Sequence, residues 1–215
     1  MKKLTLLLVF IGLAFTLAAQ DFEGAITYSI QYLDLPAEMQ GMEQMLPKEQ
    51  KILVKGDKSK FEQATGMSST TVISDMADGT STVLIEAQGQ KFKITLSKEE
   101  VDKSISQQGP AQVTYVSGTK EILGYTCKKA EVVMEGMTEP AIFYYTEDIP
   151  MINMRGMEAI ELKGMPLEYE MSMQGMNMVV TVTEMTELTL NDSEFVAPAG
   201  YTEMTDEMKS MFGIR

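Results

Sequence analysis

The stretch Pro166–Leu190, PLEYEMSMQGMNMVVTVTEMTELTL, decides the fold. Leu167, Tyr169, Met171 and Met173 alternate with Glu168, Glu170, Ser172 and Gln174, a period of two that defines a β-strand with one apolar face and one wet face. A two-residue turn at Gln174-Gly175 then sets Met173 opposite Met176, Met171 opposite Met178, Tyr169 opposite Val180 and Leu167 opposite Val182. Every pair is apolar, so the register is specified by burial. The alternation slips near Glu184 and Met185, where a bulge is expected to return Leu188 and Leu190 to the buried face.

Outward from this hairpin the same grammar repeats. A first strand is expected over 22–32, with Phe22, Ile26, Tyr28, Ile30 and Tyr32 on alternate positions, and further strands near 51–55, 60–64, 70–75, 82–87, 91–96, 113–116, 126–134 and 141–146. Gly56-Asp57, Gly66, Asp78-Gly79 and Gln88-Gly89 supply the turns. Three helices are expected to interrupt the meander. One lies between Pro36 and Pro47 with Met39, Met42, Met45 and Leu46 in a stripe; one starts at the capping box Ser97–Glu100, buries Val101 and Ile105 and stops at Gly109-Pro110; a last carries Met204, Met208 and Met211. The expected fold class is α+β: a single curved antiparallel sheet, a half-barrel of about ten strands, wrapped around two or three helices.

Lys2 and Lys3 precede an apolar run from Leu4 to Leu17 that ends at Ala18, Ala19 and Gln20. This pattern is expected of a signal peptide over 1–19, cleaved at Ala18 or Ala19, with 20–215 as a single domain that is periplasmic or secreted and does not span a membrane once the leader is removed. The lone Cys127 offers no lipid attachment point near that exit and no internal disulfide, and reads as a buried strand residue.

Composition excludes several functions. A net charge of −13 repels phosphate backbones, so nucleic acid is not an expected partner. The absence of His removes the commonest general base and the commonest zinc ligand, and the absence of Trp removes the best sugar-stacking surface. The chain has no Gly-rich phosphate loop and no G-x-S-x-G elbow. Asp75, Asp78, Gly79 and Glu86 superficially match a calcium loop, but Ser74 would then occupy the first ligand position, and Asp78-Gly79 reads better as a hairpin turn. The expectation is a protein that is not an enzyme and uses no cofactor.

Phe22-Glu23-Gly24 with Ile26 and Tyr28, Lys55-Gly56-Asp57-Lys58 with Lys60, Gly124-Tyr125 with Cys127-Lys128-Lys129, and Gly164 with Pro166-Leu167 resemble an exported bacterial domain of unknown function, DUF4412. The ending with Phe195, Pro198, Gly200 and Tyr201 resembles the wider lipoprotein-localisation superfamily of the LolA and LolB carriers. That resemblance implies a half-barrel closed by helices that holds acyl chains in an apolar cavity, with some members acting as envelope sensors.

The twenty methionines admit three readings. They fill an irregular core; or, in the hairpin, they line a cavity for lipids of varied shape, with Leu167, Tyr169, Met171, Met173, Met176, Met178 and Val180 as its candidate wall; or Met171, Met173, Met176 and Met178 form a thioether site for copper(I) or silver(I). The function expected is a non-catalytic carrier or binding protein for an acylated or apolar ligand. The alternatives are a Met-based metal-binding envelope protein and a structural or sensory envelope module that binds another protein through its sheet edge.

Overall fold

The computed structural model describes residues 22–135, 137, 139–152, 157, 159–173 and 175–205. The leader 1–19 with its exit at Ala18 and Ala19, and the expected helical positions Met208 and Met211, lie outside the described residues. The chain forms one 12-stranded sheet. Its strands are β1 (Gly24–Asp34), β2 (Glu49–Lys55), β3 (Lys58–Ala64), β4 (Ser68–Asp75), β5 (Thr80–Ala87), β6 (Gln90–Leu96), β7 (Gln112–Ile122), β8 (Tyr125–Val133), β9 (Ala141–Thr146), β10 (Met165–Met173), β11 (Met176–Glu187) and β12 (Thr202–Glu203). The spatial order is β12-β6-β5-β4-β3-β2-β1-β11-β10-β9-β8-β7. Two meanders, β1 to β6 and β7 to β11, are thus joined by the pairing of β1 with β11, and only β12 runs parallel to its neighbour, β6.

The connection from β6 to β7 shows that the sheet is curved. The two strands lie ten steps apart in the spatial order, which in a flat sheet would separate them by about 48 Å. The link is the helix α1 (Lys98–Gln108) with four flanking residues, and it reaches about 35 Å at most, at 1.5 Å per helical residue and roughly 3.4 Å per extended one. The sheet must curl for α1 to bridge it.

The expected capping box is present: Ser97 Oγ accepts from the Glu100 N–H, and Glu100 accepts from the Ser97 N–H at 2.8 Å. The other expected helices are corrections. Among the described residues α1 is the one α-helix. Between Pro36 and Pro47 the chain makes two 3-10 turns, Ala37–Met39 and Glu43–Met45, because Gly41 at φ 84° breaks the helical path. Met42 and Met45 stay exposed instead of forming a buried stripe. Met204 does not open a helix: its N–H donates to Lys93 O at 2.8 Å, extending the contact of β12 with β6, and its side chain is buried.

The hairpin register matches the sequence reading at Met173↔Met176, Met171↔Met178 and Tyr169↔Val180. The bulge falls one residue earlier than expected. Thr27 pairs with Glu184 and Tyr28 with Val182, so Thr183 is the extra residue. Neither leucine returns to the hairpin's buried face: the ladder ends at Gly24↔Glu187, Leu188 is exposed, and Leu190 is buried in a separate cluster with Leu53, Ile73, Leu84 and Phe195.

Two glycines of the family-like motifs mark places where backbones press together. A Cβ on Gly24 would lie 2.1 Å from Thr186 O, and one on Gly164 would lie 1.9 Å from Thr146 O. Only hydrogen fits at either position.

Candidate ligand-binding surface

Residues paired across antiparallel strands share a face, so the ladders map the two faces directly. On one face Ile26, Tyr28, Ile30, Val180, Val182, Tyr169 and Phe143 form the main core with Ala130 and Val132. Ile149, Ile152, Ile160 and Leu162, from the connection between β9 and β10, belong to the same cluster and close the face over β8 to β10. Phe143 stacks on Tyr169 with centroids 5.5 Å apart, and Tyr169 accepts from Gln50 Nε2 at 3.0 Å. Burial pushes the Tyr169 hydroxyl up to about 12. Tyr28 is fully buried, its hydroxyl has no hydrogen-bond partner among the described residues, and burial followed by the neighbouring Tyr169 raises its pKa well above the ordinary value.

On the same face the ladders of β2 to β6 align Ile52, Phe61, Val72, Val83 and Ile94 in one row. Ile52 and Ile94 are buried, while Phe61, Val72 and Val83 are half-buried. Beside that row Ile85 pairs with Phe92, both half-buried, and on its other side run Ser59, Ser74 and Ser81, with Ser74 Oγ 3.1 Å from Ser81 Oγ. The result is an apolar strip about 19 Å long across five strands. Helix α1 packs against β5 and β6 at its margin, with Val101 buried.

The opposite face of these strands is closed by the C-terminal segment. Leu53, Ile73 and Leu84 pack with Leu190 and Phe195. Motif residues hold that segment from both sides: Glu23 accepts from the Leu190 N–H at 2.6 Å, while Lys55 donates to Leu190 O at 2.7 Å and pairs with Asp192 at 2.9 Å. Tyr201 donates to Glu86, which Lys91 also contacts at 2.9 Å.

The seven residues read from sequence as a cavity wall separate in the structure. Leu167, Tyr169 and Val180 are buried in the main core. Met171 and Met178, opposite each other and half-buried, line a cavity of about 260 Å³ with Leu33, Pro140 and Ile142. Met173 and Met176 form the next rung. The row Phe61–Val72–Val83 was not singled out by the sequence, because its signal lies in the alignment of four ladders and not in any one strand.

One other expectation changes. Glu168, placed by alternation on the wet face, is buried: Lys120 Nζ reaches it at 2.6 Å and Thr181 Oγ1 donates to it at 2.9 Å, with the Lys120 ammonium also 5.4 Å from the Tyr144 ring centre. That ion pair has excellent local compensation, which is what a buried carboxylate needs. Cys127 is buried as expected, and its thiol is pushed up to about 11, chiefly by desolvation. Among the described residues no three His, Cys, Asp or Glu side chains converge as a metal site, and no helix is long and apolar enough to cross a membrane. Asp75 Oδ1 accepts from the N–H groups of Ala77 and Asp78, so the calcium-loop lookalike is a turn.

No family model matches the chain, and no curated protein matches it. The fold is similar to that of PNGF-II, with a TM-score of 0.51 at 16% identity over 88% of this chain; the chain spans 33% of PNGF-II. The Mycobacterium tuberculosis lipoprotein LppX aligns with a TM-score of 0.40 at 8% identity over 78% of this chain and 89% of LppX. A LolA superfamily protein from Nitrosomonas europaea aligns with a TM-score of 0.33 at 11% identity, covering 84% and 91% of the two chains. At these identities the likeness to PNGF-II establishes the fold alone.

Proposed function

We propose that this chain is a non-catalytic exported protein that binds or carries an acylated or otherwise apolar ligand, with 1–19 as its leader and 20–215 as a single LolA-like, DUF4412-like domain. The observation that carries the reading is the half-buried row Phe61–Val72–Val83 on a curved sheet. It is continuous with the buried core at Ile52 and about as long as an extended long-chain acyl group. A continuous, partly exposed apolar row of this kind suits an interaction surface better than single exposed side chains scattered over the molecule do. Met171, Met176 and Met178 stand at the far margin of the same face and offer pliable side chains to a ligand of variable shape.

The test is displacement of a fluorescent fatty acid, with native mass spectrometry of the gently purified protein as a check for a co-purified lipid. A Val83→Lys variant places a charge in the row and is expected to lose probe binding while keeping its far-UV spectrum. Probe binding unchanged by Val83→Lys contradicts the reading.

A second reading rests on one specific observation: the register sets four methionines on one face in two consecutive rungs, Met171↔Met178 and Met173↔Met176. Thioethers so grouped suit copper(I) or silver(I). Replacing all four by Leu preserves shape, so copper(I) affinity present in the wild type and absent in the variant selects this reading, and fatty-acid binding retained by the variant selects the first.

A further inference from the structure

We propose a second binding site, for an apolar ligand bearing a positive head group, in the groove where β1 enters the sheet. The groove has a volume of about 500 Å³, and a smaller cavity of about 160 Å³ shares its Phe22 and Pro150 walls. Its apolar lining is Phe22, Tyr125, Ile149, Pro150, Met185 and Leu188. Three carboxylates, Glu23, Asp148 and Glu187, stand among them, and among the described residues no basic side chain lines it.

The local sequence builds this geometry. Gly24 lets the β11 backbone approach closely, and the Phe22 ring lies over that glycine, its Cζ 3.0 Å from where a Cβ would stand. Glu23 spends one oxygen on the Leu190 N–H and stands in the field of Lys55, so Asp148 and Glu187 carry the charge of the rim. The exposed Asp148 and Glu187 face solvent at the rim. Lys128, the lysine whose charge is felt by Asp148, is engaged by Glu147 at 2.7 Å. Apolar walls under an acidic rim, on a chain of net charge −13, favour an alkylammonium over a fatty acid of equal length. Met185 stands in the same cross-strand row as Ile26, Ile52 and Phe61, but the buried Ile26 and Ile52 lie between it and Phe61, so the groove sits at the opposite end of that row from Val83.

The experiment uses the full chain with dodecyltrimethylammonium and dodecanoate as probes, titrated calorimetrically at low ionic strength against wild type, Asp148→Asn/Glu187→Gln and Val83→Lys. The expected result is a wild-type preference for the ammonium of roughly tenfold, lost in the double variant, since each exposed charge contact contributes modestly. Ammonium binding should survive Val83→Lys, which tests the other surface separately. Equal affinity for the two probes, a preference unchanged by the double variant, or loss of ammonium binding in Val83→Lys each overturns the assignment.

Discussion

The two halves of the sheet bury their apolar residues in opposite ways. Over β8 to β10 the face carrying Phe143 and Tyr169 is sealed by Ile149, Ile152, Ile160 and Leu162, with side chains at most 9% exposed. Over β3 to β5 that same face keeps Phe61, Val72 and Val83 half-buried, and the seal is applied to the other side by Leu190 and Phe195. A sheet needs only one covered face to be stable. The half closed from behind is therefore free to present apolar side chains in front, and the difference separates the part that holds the fold together from the part available to a ligand.

Truncations should divide along that line. Phe143→Ala, in the sealed half, is expected to cost about 3–5 kcal/mol, and Gly164→Ala at least about 3 kcal/mol, because its Cβ has nowhere to go. Val83→Ala should cost about 1 kcal/mol. Urea unfolding of the three variants measures this directly, and equal costs would erase the distinction between the halves.

Lys55→Met sharpens the comparison from the other side. It removes the donor to Leu190 O and the partner of Asp192, so amide exchange should accelerate across 190–203 and stay unchanged in β8 to β10. Uniform acceleration would mean that the C-terminal seal and the main core open as one unit.

The response to pH should reach both regions, with opposite signs at the two ends of the range. Bonds from Tyr201 and Lys91 hold the Glu86 carboxyl below its usual range, and Lys55 does the same for Asp192. A depressed carboxyl contributes stability that is complete above its unfolded value and is lost as pH falls through the folded one. Lys128 holds Glu147 down in the same way beside β8, so both regions should lose stability as pH drops below about 4. On the alkaline side the sign is reversed, and both regions respond: Tyr169 in the sealed half and Tyr201 in the C-terminal seal are each raised to about 12, so their contributions are complete below the ordinary tyrosine value and are lost as pH climbs from about 10 toward 12. Phenolate absorbance and exchange rates followed across both ranges check the two windows.

Much of this was legible in the residues. The 171–178 and 169–180 pairings followed from strict alternation, and the α1 start from Ser97 and Glu100, because both signals are local. The region 36–47 was misread since methionine spacing outweighed the single Gly41. β7 was shortened to 113–116 because a bulge at Gly118 breaks its alternation before Thr119 resumes the ladder. Glu168 looked wet because its partner, Lys120, lies 48 positions away. The open row escaped for the same reason: Phe61, Val72 and Val83 become one surface only when the strands are laid side by side.

The most direct test of that surface is fatty-acid probe binding by Val83→Lys beside a control, Thr82→Lys, which puts the same charge one residue away on the opposite face of β5. The account predicts that binding is lost in Val83→Lys and kept in Thr82→Lys, with both proteins folded. Equal binding by the two variants, or loss in Thr82→Lys alone, would contradict it.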